Sequence, residues 1–508
     1  MPNVRPPYRP PDLSWLAREG SPLGEGFLWG AAVAGHQVEG RFNGPRQPEN
    51  QWAEWERQGK AEPAGDAVRF WEDPERLLDL AAGVGLNAFR TSLEWARLQP
   101  RKGADLRPGA VERYAAILAA ARRRGLEPVV TLHHFTHPAW LGTDFWLEAE
   151  APATFARFAE DAVRQVGRAM AEAGVEPVRW WVTVNEPNIL GLLTYVFGAF
   201  PNVGTSLARA RRAQDHLMAG HVLAYRAIHR VHAAEGWPAP MATFNTYELT
   251  AYGLGRALVD LGAGREAGVP RDSLEDLLAA ERPRWTAEVG SLGPAVSVLA
   301  DRAIERTFVP DIPEAYPAYL DALYAGDGAS HDYLAIDYYT PVAADQVRSP
   351  LGARGRGREL PVMAMLWEST IRPEGLRMFL HAHHRRDRPL PIVVAENGMS
   401  TRVRGSRRRS RPDGWRRPAF IKAHVGELLQ AARDGVPVAG YLHWSLVDNY
   451  EWGSYEPRFG LVGVDRRNGA DLMPTDADGD DSAGAYRSII GAAKVGNGQT
   501  LATALRLD

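Results

Sequence analysis

The sequence predicts an α/β protein built as a single (β/α)8 barrel, a TIM barrel with extended βα loops. Eight short β-rich runs alternate with helical stretches along most of the chain. Several of these runs are almost continuously apolar, as strands buried on both faces of a parallel sheet must be. No glycine-rich phosphate loop follows the first run, which argues against the rival doubly wound open sheet.

The runs, in order, are FLWGAAV from Phe27, LNAFRTSLEW from Leu86, EPVVTLHHF from Glu127 and VRWWVTVNE from Val178. They continue with PMATFNTYE from Pro240, YLAIDYY from Tyr333, PIVVAEN from Pro391 and VAGYLHWSL from Val438. Helical periodicity fills the gaps at 74–85, 108–125 and 153–174, and several of these patterns stop at a glycine. Residues 1–24, rich in Pro and Arg without periodicity, read as an N-terminal extension that is wrapped on the surface or partly disordered. Residues 25–495 then form the barrel and 496–508 a C-terminal tail. A chain of 508 residues exceeds the usual domain size, but barrels with insertions grow this long without splitting. A helical insertion is expected at 249–332, between strands five and six. Residues 400–418, after strand seven, carry eight arginines and read as a solvated loop.

Composition excludes several function classes. With 45% hydrophobic and 24% charged residues and a formal net charge of −3, nothing favours nucleic acid or an anionic membrane as partner. No run approaches the apolar length of a membrane span. The first fifteen residues lack an apolar segment, so no secretory signal is expected and the cytoplasm is the expected compartment. The chain has no cysteine, which removes disulfides, thiolate metal sites and cysteine nucleophiles. Its 16 tryptophans suit sugar rings, with their apolar C–H faces, although burial is the commoner use of the residue.

Active sites of such barrels lie at the C-terminal ends of the strands. The polar residues there are Gln37, Glu39, Arg90, Glu94, His133, His134, Asn185, Glu186, Asp337, Tyr339, Glu396, Asn397 and Trp444, followed by Asp448, Glu451 and Trp452. Glu186 and Glu396 end strands on opposite sides of the barrel and point across its mouth. Glycoside cleavage needs such a pair, one carboxyl to protonate the leaving oxygen and the other to meet the developing oxocarbenium ion. On residue types alone, His133, His134, Glu186 and Glu396 could instead hold a metal, so a metal hydrolase stays open.

The segments FLWGAAVAGHQVEG (27–40), FRTSLEWARLQP (89–100), TLHHFTHPAWL (131–141), WWVTVNEP (180–187), IDYYT (336–340), VVAENGM (393–399) and HWSLVDNYEWGSYEPRFGLVGVD (443–465) together resemble glycoside hydrolase family 1. The resemblance runs from about Phe27 to about Ala493. It implies a retaining β-glycosidase without cofactor or metal. The implied substrate is a small β-glycoside, cleaved at its terminal non-reducing sugar: a β-glucoside first, with β-galactosides and β-fucosides next. It implies no oligomeric state.

By the same resemblance Glu186 is the acid/base and Glu396 the nucleophile. Asn185 bonds the sugar 2-hydroxyl, and Gln37, His134, Glu451 and Trp452 hold the remaining hydroxyls. Trp444 is the platform under the sugar, and Trp367 the aromatic wall for the leaving group. Arg90 and Tyr339 touch Glu396 and keep it ionised. The sequence departs from the family at Asp337, where an Asn is usual, at Ala395, often Thr, and at His137, often Leu. Asp337 shares a strand face with Tyr339 and is expected to add a third carboxyl near the nucleophile; the alternative is an ion pair with an arginine outside the site. Glu451 and Trp452 stand where phosphoglycosidases of the family carry a phosphate-binding set, so an unphosphorylated sugar is expected. A sugar transferase on the same scaffold would keep both glutamates; a sugar-binding protein without activity would normally lose one.

Overall fold

The computed structural model describes residues 8–292, 312–326, 328–342, 370–385, 388–404, 407–409, 411, 413–466 and 469–507. Each of the eight predicted runs forms a strand. They are β1 (Leu28–Ala32), β2 (Ala88–Ser92), β3 (Glu127–His133), β4 (Trp180–Asn185), β5 (Met241–Leu249), β6 (Leu334–Val342), β7 (Ile392–Asn397) and β8 (Val438–Trp444). They close into one barrel of parallel strands in sequence order, with β8 paired to β1 through Leu28↔Gly440 to Ala32↔Trp444. Such an arrangement is the (β/α)8 barrel that the alternation predicts.

The interior explains the apolar runs. Leu28, Ala88, Val129, Val182, Ala335, Val393 and Leu442 pack against one another inside the barrel. Space there is short. A Cβ on Gly30 would lie 2.9 Å from Leu442 Cγ and 3.0 Å from the Ala88 carbonyl, so the first strand needs glycine at that point. The outer faces of the strands meet helices. Trp95, just after β2, stacks on Phe158 of the helix Ala151–Glu172 at 4.4 Å and 12°. Such a pair adds about 0.5–1.5 kcal/mol to its burial.

Helices fall where periodicity put them, at Pro74–Val84, Pro108–Arg123 and Ala151–Glu172. Each carries a proline in its first turn, where the missing N–H costs nothing. The chain leaves them at Gly85, Gly125 and Gly174 with φ of 86°, 74° and 70°, a left-handed turn that glycine makes without strain. The insertion between β5 and β6 is helical in its described part, at Arg256–Glu266, Leu274–Val289 and Pro317–Tyr324. No helix among the described residues is long and apolar enough to cross a membrane.

Two segments are more ordered than the sequence predicts. The arginine-rich stretch forms a hairpin, Thr401–Arg404 against Arg407–Arg409, with Pro457–Arg458 added to its edge. Arg417 is buried and donates to the carbonyls of Met399 (2.5 Å) and Arg458 (3.2 Å), while Arg416 pairs with Asp480 and Arg411 with Asp413. Arg411 and Arg417 are turned into the fold, whereas Arg416 stays exposed where it pairs with Asp480. Near the termini, the helices Leu16–Glu19 and Gly498–Ala504 meet so closely that a Cβ on Gly498 would strike the Leu16 carbonyl. Trp15, Leu16 and Leu501 are buried in that contact region.

Candidate active site

The C-terminal ends of the strands enclose a pocket of about 540 Å³. Its wall consists of His134, Phe135, Asn185, Glu186, Ile189, Leu193, Phe200, Tyr247, Tyr339, Glu396, Trp444, Glu451, Trp452 and Phe459. Eight of the sequence-predicted site residues are therefore together at one cavity. Gln37, Arg90 and Asp337 adjoin that wall: Gln37 is bonded to Glu451, Arg90 to Glu396, and Asp337 brings an oxygen within 4.8 Å of Glu186 and Glu396. Trp367 lies outside the described residues.

Glu186 owes its position to the turn that joins β4 to the helix Pro187–Tyr195. A residue before proline is kept out of the right-handed helical region, and Glu186 adopts φ 39°, ψ 61° instead. Phe135 (φ 64°) and Trp452 (φ 43°) share this left-handed geometry. A residue with a side chain costs about 1–2 kcal/mol there, and such residues collect at binding sites where surrounding structure enforces them.

Glu396, on β7, lies in register with Asp337 on β6. Arg90 donates to Glu396 Oε1 at 2.5 Å and Tyr339 Oη to Glu396 Oε2 at 2.6 Å. The same guanidinium donates to Asn185 Oδ1 at 2.5 Å and to Thr131 Oγ1 at 3.2 Å. Glu186, Asp337 and Glu396 each bring an oxygen within 4.8 Å of the others, and all three are buried. Among the described residues no arginine is bonded to Asp337: its Oδ2 accepts from Asn245 Nδ2, which also donates to Asn185 Oδ1 at 2.9 Å. The alternative of an ion pair outside the site does not describe this residue.

Burial dominates the proton affinities. It pushes Glu186 well above the ordinary carboxyl range, helped by the charge of Glu396. It raises Glu396 as well, and the cation of Arg90 and the hydroxyl of Tyr339 pull in the opposite direction. Asp337 is raised well above its ordinary value by burial and then by the charges of Glu396 and Glu186. The expectation that Arg90 and Tyr339 touch Glu396 matches these contacts, but burial outweighs them. The same three carboxylates are the cation-binding candidates among the described residues; His133 and His134 are not part of that group. Arg90 already supplies a positive charge at Glu396.

The opposite wall is polar and aromatic. Trp444 Nε1 donates to Glu451 Oε1 at 3.1 Å, and Gln37 Nε2 reaches Glu451 Oε2 at 3.4 Å and the Tyr450 carbonyl at 2.7 Å. The ring of His134 lies parallel to Trp444 and Trp452, at 5.9 and 6.0 Å. Burial pushes Glu451 up to about 8 and holds His134 well below its ordinary value, hence neutral. Gln37 Oε1, His134 Nδ1 and Asn185 Nδ2 are buried without a hydrogen-bond partner among the described residues. Each such atom costs about 1–3 kcal/mol until something polar meets it, which marks a site built for a hydroxylated ligand.

Other strand-end polar residues are structural. Glu39 pairs with Arg97 and accepts from Tyr114 at 2.8 Å; Glu94 accepts from Thr136 at 3.0 Å. His133 accepts from Trp146 Nε1 at 3.1 Å, Asn397 bonds Tyr338 and Tyr441, and Asp448 accepts from the Gly460 amide. His137 is buried against the Gly142 carbonyl, at 3.0 Å, outside the pocket wall. Sequence reasoning missed Asn245 and the apolar wall of Ile189, Leu193 and Phe200. Ile189 and Leu193 follow Glu186 by three and seven residues, the helical spacing that puts them on its side of the helix.

The profile described as Glycosyl hydrolase family 1 matches residues 20–247 and 284–493. The chain is 28% identical over 449 residues to the galactolipid galactosyltransferase SFR2 of Arabidopsis thaliana, covering 86% of this chain and 60% of that protein. It is 26% identical over 505 residues to a β-galactosidase of Sulfolobus acidocaldarius, covering 87% of this chain and 90% of that one. Among solved structures, the β-glucosidase of Thermotoga maritima in complex with castanospermine superposes with a TM-score of 0.69 at 21% identity, covering 94% of this chain and 98% of that chain. Barrel, pocket and a profile match across most of the chain agree: the protein belongs to glycosyl hydrolase family 1 and is a glycoside hydrolase.

Proposed function

We propose that the protein is a retaining β-glycosidase that removes terminal non-reducing β-D-glycosyl residues, β-glucosides first, through a covalent intermediate on Glu396. The observation that carries this reading is the short distance between the two carboxyls, whose oxygens lie within 4.8 Å. Retaining enzymes hold their carboxyls about 5–5.5 Å apart, whereas inverting ones leave about 6.5–9.5 Å for a water molecule. In the first step Glu396 attacks the anomeric carbon while Glu186, protonated because it is buried beside a negative charge, gives its proton to the departing oxygen. In the second, Glu186 takes a proton from water, which displaces Glu396 from the sugar. Arg90 and Tyr339 steady the charge on Glu396 whenever it is free.

The polar wall supports a neutral sugar. Trp444 offers a flat face, and Gln37, His134, Asn185 and Glu451 offer donors and acceptors for hydroxyls. No Lys or Arg lines the pocket among the described residues, so a phosphorylated sugar would find no counter-charge. A cysteine-free chain of this composition suits the cytoplasm, and we read 25–495 as its one catalytic unit.

Proton NMR of the mixture during hydrolysis of an aryl β-glucoside tests the reading. A β-anomer formed first, before mutarotation, is expected; an α-anomer formed first would overturn it. A second reading, transfer of the sugar to an alcohol, is favoured by the apolar wall of Ile189, Leu193 and Phe200 beside Glu186, which disfavours water. Adding a primary alcohol and measuring the alkyl glycoside against free sugar separates the two.

A further inference from the structure

We propose that Asp337 is a positioning residue for acid/base catalysis: it and Glu186 hold one proton between them, and this shared proton is the one delivered to the leaving group. The inference rests on the reading of Glu186 as acid/base. An oxygen of each side chain lies within 4.8 Å of an oxygen of the other, and each carboxyl is among the groups that set the other's proton affinity. Glu186 Oε1 and Asp337 Oδ1, both buried, accept nothing from any amide or hydroxyl among the described residues. Two carboxylates can bond each other only with a proton between them, and like charges at this range cannot both ionise without large cost.

The surroundings favour that state. Facing Asp337 are Glu186 from the end of β4, Glu396 from β7, Arg90 from β2, Asn245 and Tyr247 from β5, Tyr339 from its own strand and Tyr333 just before that strand. Arg90 is the one cation in this set, and it is bonded to Glu396 and Asn185 rather than to Asp337. Asn245 fixes the Asp337 carboxyl by donating to Oδ2, leaving Oδ1 free to meet Glu186. An asparagine at 337 could donate a hydrogen bond to Glu186 but could not store a proton.

The proton balance closes over one turnover. The pair starts with one proton and passes it to the glycosidic oxygen as the C–O bond breaks, leaving both carboxyls ionised. At that moment Glu396 is esterified and has lost its charge, so the ionised pair has one negative neighbour fewer. Water then attacks the anomeric carbon, its proton returns to the pair, and Glu396 leaves as a carboxylate. The pair thus acts as acid and base with one proton, and Asp337 extends to higher pH the range over which it is held.

Asp337→Asn tests this at nearly constant shape. Removing the charge makes Glu186 easier to ionise, so the basic limb of kcat/KM moves down by about one pH unit or more, the scale of a strongly coupled pair. Glu396 loses a like charge as well, so the acid limb moves down too. Thermal melting gives a second readout: one fewer buried carboxyl raises Tm at neutral pH relative to the parent, and the difference closes as pH falls through the ordinary carboxyl range, where the unfolded chain takes up the proton that Asp337 already holds in the folded one. A basic limb that stays in place in a folded variant overturns the proposal. The underlying role of Glu186 is tested separately by azide rescue of Glu186→Ala. Shifted limbs without rescue would leave the shared proton standing and remove the acid/base assignment.

Discussion

Arg90→Met removes the one guanidinium among the described residues that binds Glu396, the proposed nucleophile, and tests how that carboxyl is kept ionised. Arg90 is buried and spans three elements, donating to Glu396, Asn185, Thr131 and the Ala395 carbonyl. Methionine keeps much of the stem volume and deletes the charge. Breaking a buried ion pair by removing one partner costs about 3–5 kcal/mol, because the remaining charge is left uncompensated. Glu396 escapes part of this by binding a proton. At 1.36 kcal/mol per pKa unit, the lower figure corresponds to a rise of about two units. Glu396 must be ionised to attack, so the acid limb of kcat/KM moves up by about two pH units. Asn185 also loses its hydrogen bond from the cation, worth about 1.5–3 kcal/mol when a charged group is involved, and this adds a loss of roughly ten- to a hundred-fold at every pH. The assay is kcat/KM for an aryl β-glucoside across the stable pH range, with a melting curve to show that the variant folds. A uniform loss with both limbs in place would refute the electrostatic role and leave Arg90 as a scaffold residue.

Three further outcomes follow from the same geometry. Glu186→Ala keeps the first step with a leaving group of low pKa but stalls the second, so added azide restores turnover and yields a β-glycosyl azide; no response to azide would remove Glu186 from the acid/base role. Tyr339→Phe deletes the 2.6 Å hydrogen bond to Glu396 and should lower kcat/KM by about ten- to a hundred-fold, with the acid limb displaced upward; a fall in KM alone would contradict this. Leu193→Asn makes the wall beside Glu186 polar and should reduce kcat/KM for alkyl and aryl glycosides more than for disaccharides, and equal loss for both would mean that Leu193 does not meet the leaving group.

The barrel was legible because its strands are buried on both faces, which leaves long apolar runs that no half-exposed strand would show. Most of the pocket was legible for a related reason, since chemistry in this fold can come only from strand ends. Strand-end position did not separate working residues from supporting ones. His133 ends β3 and His134 follows it, yet alternation sends one to Trp146 and the other to the pocket. Glu39 and Glu94 look like candidates until Arg97, Tyr114 and Thr136 are seen around them. Asn245 was overlooked because an amide at a strand end announces no reaction; its use appears only when Asn185 and Asp337 converge on its one Nδ2 group. The hairpin at 401–409 was not legible either. Its residues have no apolar alternation, and the edge that completes it, Pro457–Arg458, lies far along the chain.

The site's proton affinities place catalysis and stability in opposition. Carboxylates bound in ion pairs usually have lowered pKa values, so folding stability is present above the unfolded pKa and lost in acid. Here Glu39, Glu94, Glu186, Asp337, Glu396 and Glu451 are all raised, chiefly by burial. A raised group holds its proton in the folded state where the unfolded chain has released it. Its contribution is fully present below the ordinary 4.5 of a glutamate and is lost as pH rises through the folded value, about 7 for Glu39 and about 8 for Glu451. Between those limits the folded chain binds more protons than the unfolded one, and these groups make it less stable with each step in pH. The nucleophile nevertheless has to lose its proton for the enzyme to work. The pH of best activity therefore lies on the alkaline side of the pH at which this group of residues is most comfortable. Arg90 and Tyr339 narrow that gap at Glu396, while a shared proton on Glu186 and Asp337 spares the pocket a third negative charge.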